Sequence, residues 1–227
     1  MVIKLHEWTH AGRWIQGAAS VRFLSSYWEA LSNPSAPMAD DKGKHATGSS
    51  CNPSPSPGFR RKRPWRMPEE GWIKVSVDGA FLEQTGKAGI GVAIRDQSGS
   101  VLVSAWKVIT GAGSAEEVEA QACREGLGLA AEWTPLPTIL ESDCSTVVNY
   151  LSKPTSQRTS YAFVIQEALE AARKLPRVVF HHIGRESNVL AHELAQLAVR
   201  LNHSAVWHDR VPFCVERCVT QDVNAHD

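Results

Sequence analysis

The sequence predicts one α/β domain built on a mixed five-stranded sheet flanked by helices, and three observations carry that expectation. From Gly71 onward, short runs with alternating apolar residues are interleaved with longer runs whose apolar residues recur at steps of three and four. These are the periods of half-buried strands and amphipathic helices. The elements follow in the order βββαβααβα, so three antiparallel strands come first and parallel strands are reached through helical crossovers. Residues 33–70, in contrast, are dense in Pro, Ser, Gly and charge, a composition too poor in apolar surface to offset the entropy of ordering.

WIKVSVD alternates through Ile73, Val75 and Val77 and reads as a strand that ends at Asp78. GIGVAIRD and VLVSAWKV form a hairpin around Gln97-Ser98-Gly99-Ser100, with Gly99 supplying the turn conformation. SAEEVEAQACREGLGLAAEW then sets Ala115, Val118, Ala122, Gly126, Leu129 and Trp133 on one helical stripe. Ser114 is its expected cap, with Glu117 three residues on. Thr138 to Asp143 is a short strand, and a helix starts near Ser145 and stops before Pro154. SYAFVIQEALEAARKL is a third helix, RVVFHHI a last strand and SNVLAHELAQLAVRL a final helix. The expected organisation is therefore a short segment over 1–32 with the spacing for one or two helices, a linker over 33–70, the domain over 71–201 and an irregular extension over 202–227.

Apolar residues make up 43% and charged residues 21% of the 227 residues, and 24 basic side chains balance 24 acidic ones. That balance names no partner, and it counts mildly against nucleic acid unless charge is unevenly distributed. Unevenness exists: Arg60, Arg61, Lys62, Arg63 and Arg66 surround Pro64 and Trp65. Such a run suits phosphate contacts or a nuclear address, and a solvated linker is the plainer alternative. Five cysteines without a CxxC argue against a disulfide framework or a zinc site. The sequence has no secretory leader pattern and no run long enough to cross a bilayer, so an intracellular protein of cytosol or nucleus is expected.

Three acids stand where chemistry is feasible. Asp78 closes the first strand before Gly79, which lets the backbone turn sharply there, Glu119 lies beside the buried stripe of the first helix, and Asp143 closes the fourth strand where a helix begins. Asp78 has an ordinary alternative as a turn former and Asp143 as a helix cap, whereas Glu119 is expected to point toward the sheet. A carboxylate facing a core needs a partner or a metal, however. Strand ends that meet helix starts are the usual ligand sites of open α/β sheets. Converged carboxylates repel unless cations neutralise them, and hard oxygen ligands suit Mg²⁺ or Mn²⁺.

VSVDGA, the EVEAQACREGL helix, ESDCSTV and the closing HIGRESNVLAHELAQLA resemble, in order and spacing, the type 1 ribonuclease H family. The lead-in KRPWRMPEEGWIKVSVDGA and the tail AVWHDRVPFCVERCV resemble its plant subgroup, related to the ribonuclease H portions of non-LTR retroelement reverse transcriptases. The resemblance implies a ribonuclease-H-like sheet. It also implies that Asp78, Glu119 and Asp143 are catalytic acids holding two Mg²⁺ or Mn²⁺ ions for cutting the RNA strand of an RNA–DNA hybrid. The family's flexible-loop histidine matches His182, for which a surface histidine beside His181 is the alternative.

Two departures qualify that implication. The family's fourth acid falls on His192, whose neutral imidazole is a poor Mg²⁺ ligand, though it can bind Mn²⁺ or Zn²⁺. Glu193 cannot stand in, because adjacent helical residues point about 100° apart. The amides that family members carry before the helix acid are Ala115 and Glu116 here, and a carboxylate at that place repels a phosphate backbone. The expected function is metal-dependent endonucleolytic cleavage of hybrids. A domesticated domain that binds nucleic acid or a protein partner with little or no cleavage is the rival, and a phosphodiesterase of the same fold acting on another nucleic acid is a third reading.

Overall fold

The structure, a computed structural model, describes residues 5–8, 14–16, 65–153 and 159–224. Its strands are β1 (Leu5–Trp8), β2 (Trp14–Gln16), β3 (Ile73–Leu82), β4 (Lys87–Arg95), β5 (Val101–Ile109), β6 (Thr138–Ser142), β7 (Val178–His182) and β8 (Ala205–His208). Its helices are α1 (Ala115–Trp133), α2 (Ser145–Ser152), α3 (Ala162–Ala172), α4 (Val189–Leu201) and α5 (Glu216–Asn224). The strands form one sheet in the order β2-β1-β8-β5-β4-β3-β6-β7. β3, β4 and β5 pair antiparallel, and β6 joins β3 in parallel, as does β7 with β6. The five expected strands and their directions are all present, and three further strands widen the sheet.

Alternation in β3 divides the core between two faces. Ile73, Val75 and Val77 are fully buried in the main apolar cluster with Val118, Ala122, Cys123 and Leu127 of α1. Burying each such branched side chain is worth roughly 1.5–3 kcal/mol. Lys74, Ser76 and Asp78 point to the other face, where α4 packs. That packing is close: a Cβ on Gly91 of β4 would strike the carbonyl oxygen of Ala191 and stand 2.5 Å from the amide nitrogen of Ala195. Glycine at 91 therefore lets the α4 backbone lie directly on the sheet.

Local chemistry places the ends of these elements. The Ser114 hydroxyl accepts from the Glu117 amide at 3.2 Å, and the Glu117 carboxylate accepts from the Gly113 amide at 2.9 Å, which starts α1 as expected. Between β4 and β5, Asp96 Oδ1 accepts from the amides of Ser98 and Ser100 at 2.8 and 3.0 Å. Gly99 takes φ +79° in that turn, a value disfavoured for other residues.

Several expectations need correction. β3 does not stop at Asp78 but runs to Leu82, because the antiparallel ladder with β4 continues through Asp78↔Gly91 to Leu82↔Lys87. Only the parallel partner β6 ends early, at Ser76↔Glu141. The tail after residue 201 is not irregular: β8 pairs with β5, Trp207 lies 4.3 Å from Trp106 between ring centroids, and α5 follows. In the first segment, whose sequence allowed one or two helices over roughly Trp8 to Leu31, Leu5–Trp8 and Trp14–Gln16 are strands, and β1 pairs with β8. The fold also begins before residue 71. Trp65 is 1% exposed and donates from Nε1 to Glu141 Oε2 at 3.1 Å, an aromatic anchor that the composition of the surrounding linker hid. The basic residues Arg60, Arg61, Lys62 and Arg63 lie outside the described residues.

Candidate metal centre

Asp78 sits on β3 two residues past the last β6 pairing, so its carboxylate emerges where the parallel ladder opens. Glu119 reaches the same point from the second turn of α1. Gly79 makes that approach possible, since a Cβ there would lie 2.9 Å from the Glu119 amide nitrogen. Its role is close packing of helix on strand rather than the turn expected from sequence. Asp143 follows β6 directly. Cys144 occupies the cap position of α2 and no side chain caps that helix, so the Asp143 carboxylate is not spent on capping. Candidate ligand atoms of Asp78, Glu119 and Asp143 all lie within 4.8 Å of one another.

The surroundings neutralise the three acids unequally. His192 Nδ1 lies 2.9 Å from Asp78 Oδ2, and Arg185 Nε donates to Asp143 Oδ2 at 3.1 Å. Among the described residues, Glu119 accepts from the Gly79 amide and, in a long contact of 3.5 Å, from the Ser142 hydroxyl. Among the described residues no cationic side chain is within ion-pair distance of it. Burial, with the Asp78 and Asp143 charges adding to it, pushes the Glu119 carboxyl up to about 9. Burial also holds Asp78 above its ordinary value, against the bond to His192. The His192 imidazole is raised in turn, chiefly by its bond to Asp78, and Arg185 is raised by Asp143.

The fourth position is therefore joined to the site, but through Asp78 rather than as a member of the carboxylate group. His182, the last residue of β7, is exposed and lies close by, with Nε2 3.2 Å from the Asp143 carbonyl oxygen. Glu116 is exposed in the first turn of α1. Sequence reading missed Arg185 and Asn188. Asn188 is 1% exposed, donates to the Val77 carbonyl at 2.8 Å and lies 3.5 Å from Asp143 Oδ1, so it ties the start of α4 to β3 beside the site. A buried amide before a helix in RESNVLAH was the available signal.

A divalent cation fits these residues. The donors are hard oxygens, two of the three carboxylates are buried, their mutual repulsion is incompletely relieved, and the buried Asn188 Oδ1 has no hydrogen-bond partner. Asp78, Glu119 and Asp143 would hold the ion. The four described cysteines are free thiols, and no described helix is long and apolar enough to cross a membrane.

Comparison with known proteins agrees with the geometry. Residues 76–198 match the reverse transcriptase-like family. The Arabidopsis thaliana protein named "Putative ribonuclease H protein At1g65750" is 30% identical over 168 residues, which is 73% of this chain and 27% of that protein. The chain thus spans about a quarter of its relative's length. Among solved structures, ribonuclease H1 of Halobacterium salinarum superposes with TM-score 0.54 at 21% identity, covering 57% of this chain and 98% of the other. The ribonuclease H domain of Mycobacterium tuberculosis rv2228c gives 0.54 at 20%, covering 58% and 96%. LC11-RNase H1, solved with an RNA/DNA hybrid, gives 0.53 at 22%, covering 57% and 98%. With more than half of its residues inside the family match and a sheet that superposes on ribonucleases H1, the chain belongs to the reverse transcriptase-like, ribonuclease-H-like family.

Proposed function

We propose that the protein is a metal-dependent nuclease that cleaves the RNA strand of RNA–DNA hybrids at the Asp78, Glu119 and Asp143 centre. The observation that carries this reading is three converging carboxylates with too few cations of their own. Such sites are costly to maintain without a cationic ligand. When bound, Mg²⁺ or Mn²⁺ supplies a more acidic water and Lewis-acid stabilisation of the charge that develops on a phosphodiester. Arg185, exposed except at its Asp143 contact, adds a donor for a phosphate oxygen. His182 stands at the rim as a proton-transfer group or an aid to product release. The basic run Arg60, Arg61, Lys62 and Arg63 adds sequence-independent phosphate contacts. The Arabidopsis relative supports the plant-subgroup reading, and the retroelement origin rests on the lead-in and tail resemblance.

A second reading, binding with weak or no cleavage, is favoured by His192. Its imidazole supplies a partner for Asp78 where a fourth carboxylate would add to the metal site. One assay separates the two. Wild type, Asp78→Asn and His192→Asp are incubated with hybrid, duplex RNA and single strands in Mg²⁺ and in Mn²⁺. Hybrid-specific cleavage by wild type, stronger in Mn²⁺ and lost in Asp78→Asn, supports the nuclease. Cleavage by His192→Asp alone supports the binding domain. Failure of both proteins to bind or cut a hybrid overturns both.

A further inference from the structure

Beside the carboxylate site, the sheet face carrying Lys74 has no helix over β6 and β7 among the described residues, and the lead-in from Trp65 to Trp72 walls off a groove of about 780 Å³. The register Ile139↔Val179 and Glu141↔His181 puts the side chains of these two strands on its floor. The groove ends at His182, Gly184 and Ser187, immediately beside Arg185 and Asn188 of the carboxylate site. We propose that it holds single-stranded nucleic acid running out of the hybrid site, an inference that rests on the hybrid-nuclease reading.

Three features argue for that occupant. The one carboxylate on the floor, Glu141, is already matched by Lys74 at 2.6 Å and by the Trp65 indole, so it presents little negative charge. Arg66 and Arg177 line the groove, are exposed and have no carboxylate partner within ion-pair distance among the described residues; Glu69 and Glu186 also line it and are exposed. The Arg177 guanidinium lies 5.4 Å from the centre of the Trp72 ring, which combines a cation for a phosphate with an aromatic face for a base. Aromatic platforms beside cations are the usual means of gripping single strands without reading their sequence. One strand leaving the cleavage site can enter the groove directly, because its end at His182, Gly184 and Ser187 adjoins Arg185 and Asn188.

The test uses the full chain carrying Asp78→Asn, so that substrate survives, in Mg²⁺. Affinities are measured by fluorescence anisotropy for a blunt hybrid and for hybrids with a short single-stranded extension at either end. One extension polarity should tighten binding about tenfold over blunt, the equivalent of one stacked base. Adding Arg66→Ser and Arg177→Ser should bring that ratio to near one. It should also lower the salt slope for the extended hybrid by about 1.4, at roughly 0.7 per lost contact to a single strand. A photoreactive pyrimidine in the extension should crosslink to Trp72. A ratio of one for both polarities, a gain that survives the double substitution, or crosslinks confined to other elements overturns the groove. Blunt-hybrid affinity reports separately on the nuclease reading: if blunt hybrid binds and the extension adds nothing, the groove alone fails. If blunt hybrid does not bind at all, the hybrid reading fails, and the groove is then judged by whether a labelled single strand binds in an Arg66- and Arg177-dependent manner.

Discussion

Lys74 and Asp78 lie four residues apart on the same face of β3, both nearly inaccessible, yet the clusters around them are opposite in design. Around Lys74 every buried charge is answered. Glu141 receives Lys74 and Trp65, while Arg95 stacks 3.4 Å from the Trp65 ring centre and donates to Asp222 at 2.6 Å. Around Asp78, three acids crowd together, and Glu119 meets no cation among the described residues. Paired buried charge costs desolvation and returns it locally, so it locks structure; unpaired like charge returns it only when something binds. The difference separates a clamp on the flanking segments from a ligand site.

The most severe way to probe that contrast is Asp78→Asn. Loss of a ligand carboxylate should reduce hybrid cleavage by at least about a hundredfold, or about 2.7 kcal/mol of barrier, while the metal-free protein melts no lower than wild type because repulsion is relieved. Retained cleavage, or a large drop in Tm, would mean that the acids are structural.

Glu141→Ala should do the reverse. Stranding Lys74 without its buried partner should cost roughly 3–5 kcal/mol in chemical denaturation. Ending the chain at Leu201 removes Asp222 and β8 together and should destabilise the domain at least as much. A truncated protein as stable as the full chain would show that the clamp is ornamental.

Glu119 gives the comparison a pH signature. Its carboxyl is at about 9 in the metal-free fold against an ordinary 4.5. Between those values the folded state holds a proton that the unfolded state has released, so this group's contribution is complete below pH 4.5 and is lost as pH rises through 9. In EDTA, Tm should therefore fall more steeply with pH for wild type than for Glu119→Gln, and parallel curves would remove the proton from Glu119. Mg²⁺ or Mn²⁺ binding at neutral pH should release protons, seen calorimetrically as heats that depend on buffer ionisation enthalpy.

The smallest effect belongs to a pair in neither cluster. Arg124 and Glu167 meet at 2.7 Å across α1 and α3 with about a third of each side chain exposed. Arg124→Ala should cost under about 1 kcal/mol, and a larger loss would show that solvent exposure is not what divides the two clusters.

The amino-acid pattern alone determined the strands and helices between Ile73 and Leu201, because alternation and helical stripes record which face is buried at each residue. It also singled out Asp78 and Asp143, which close expected strands, and Glu119, which lies beside a buried helical stripe, since each has the wrong polarity for its surroundings. Tertiary structure decided the rest. Trp65 and the tail carry weak local periodicity and are ordered by contacts across more than 70 residues, such as Trp65 to Glu141 and Arg95 to Asp222. Gly79 looked like a turn because glycine's freedom is visible in sequence, whereas a helix pressing on a strand is not. Whether His192 would face the acids, and that Arg185 and Asn188 would join them, depended on how α4 settles on β4, a packing angle that no local pattern encodes.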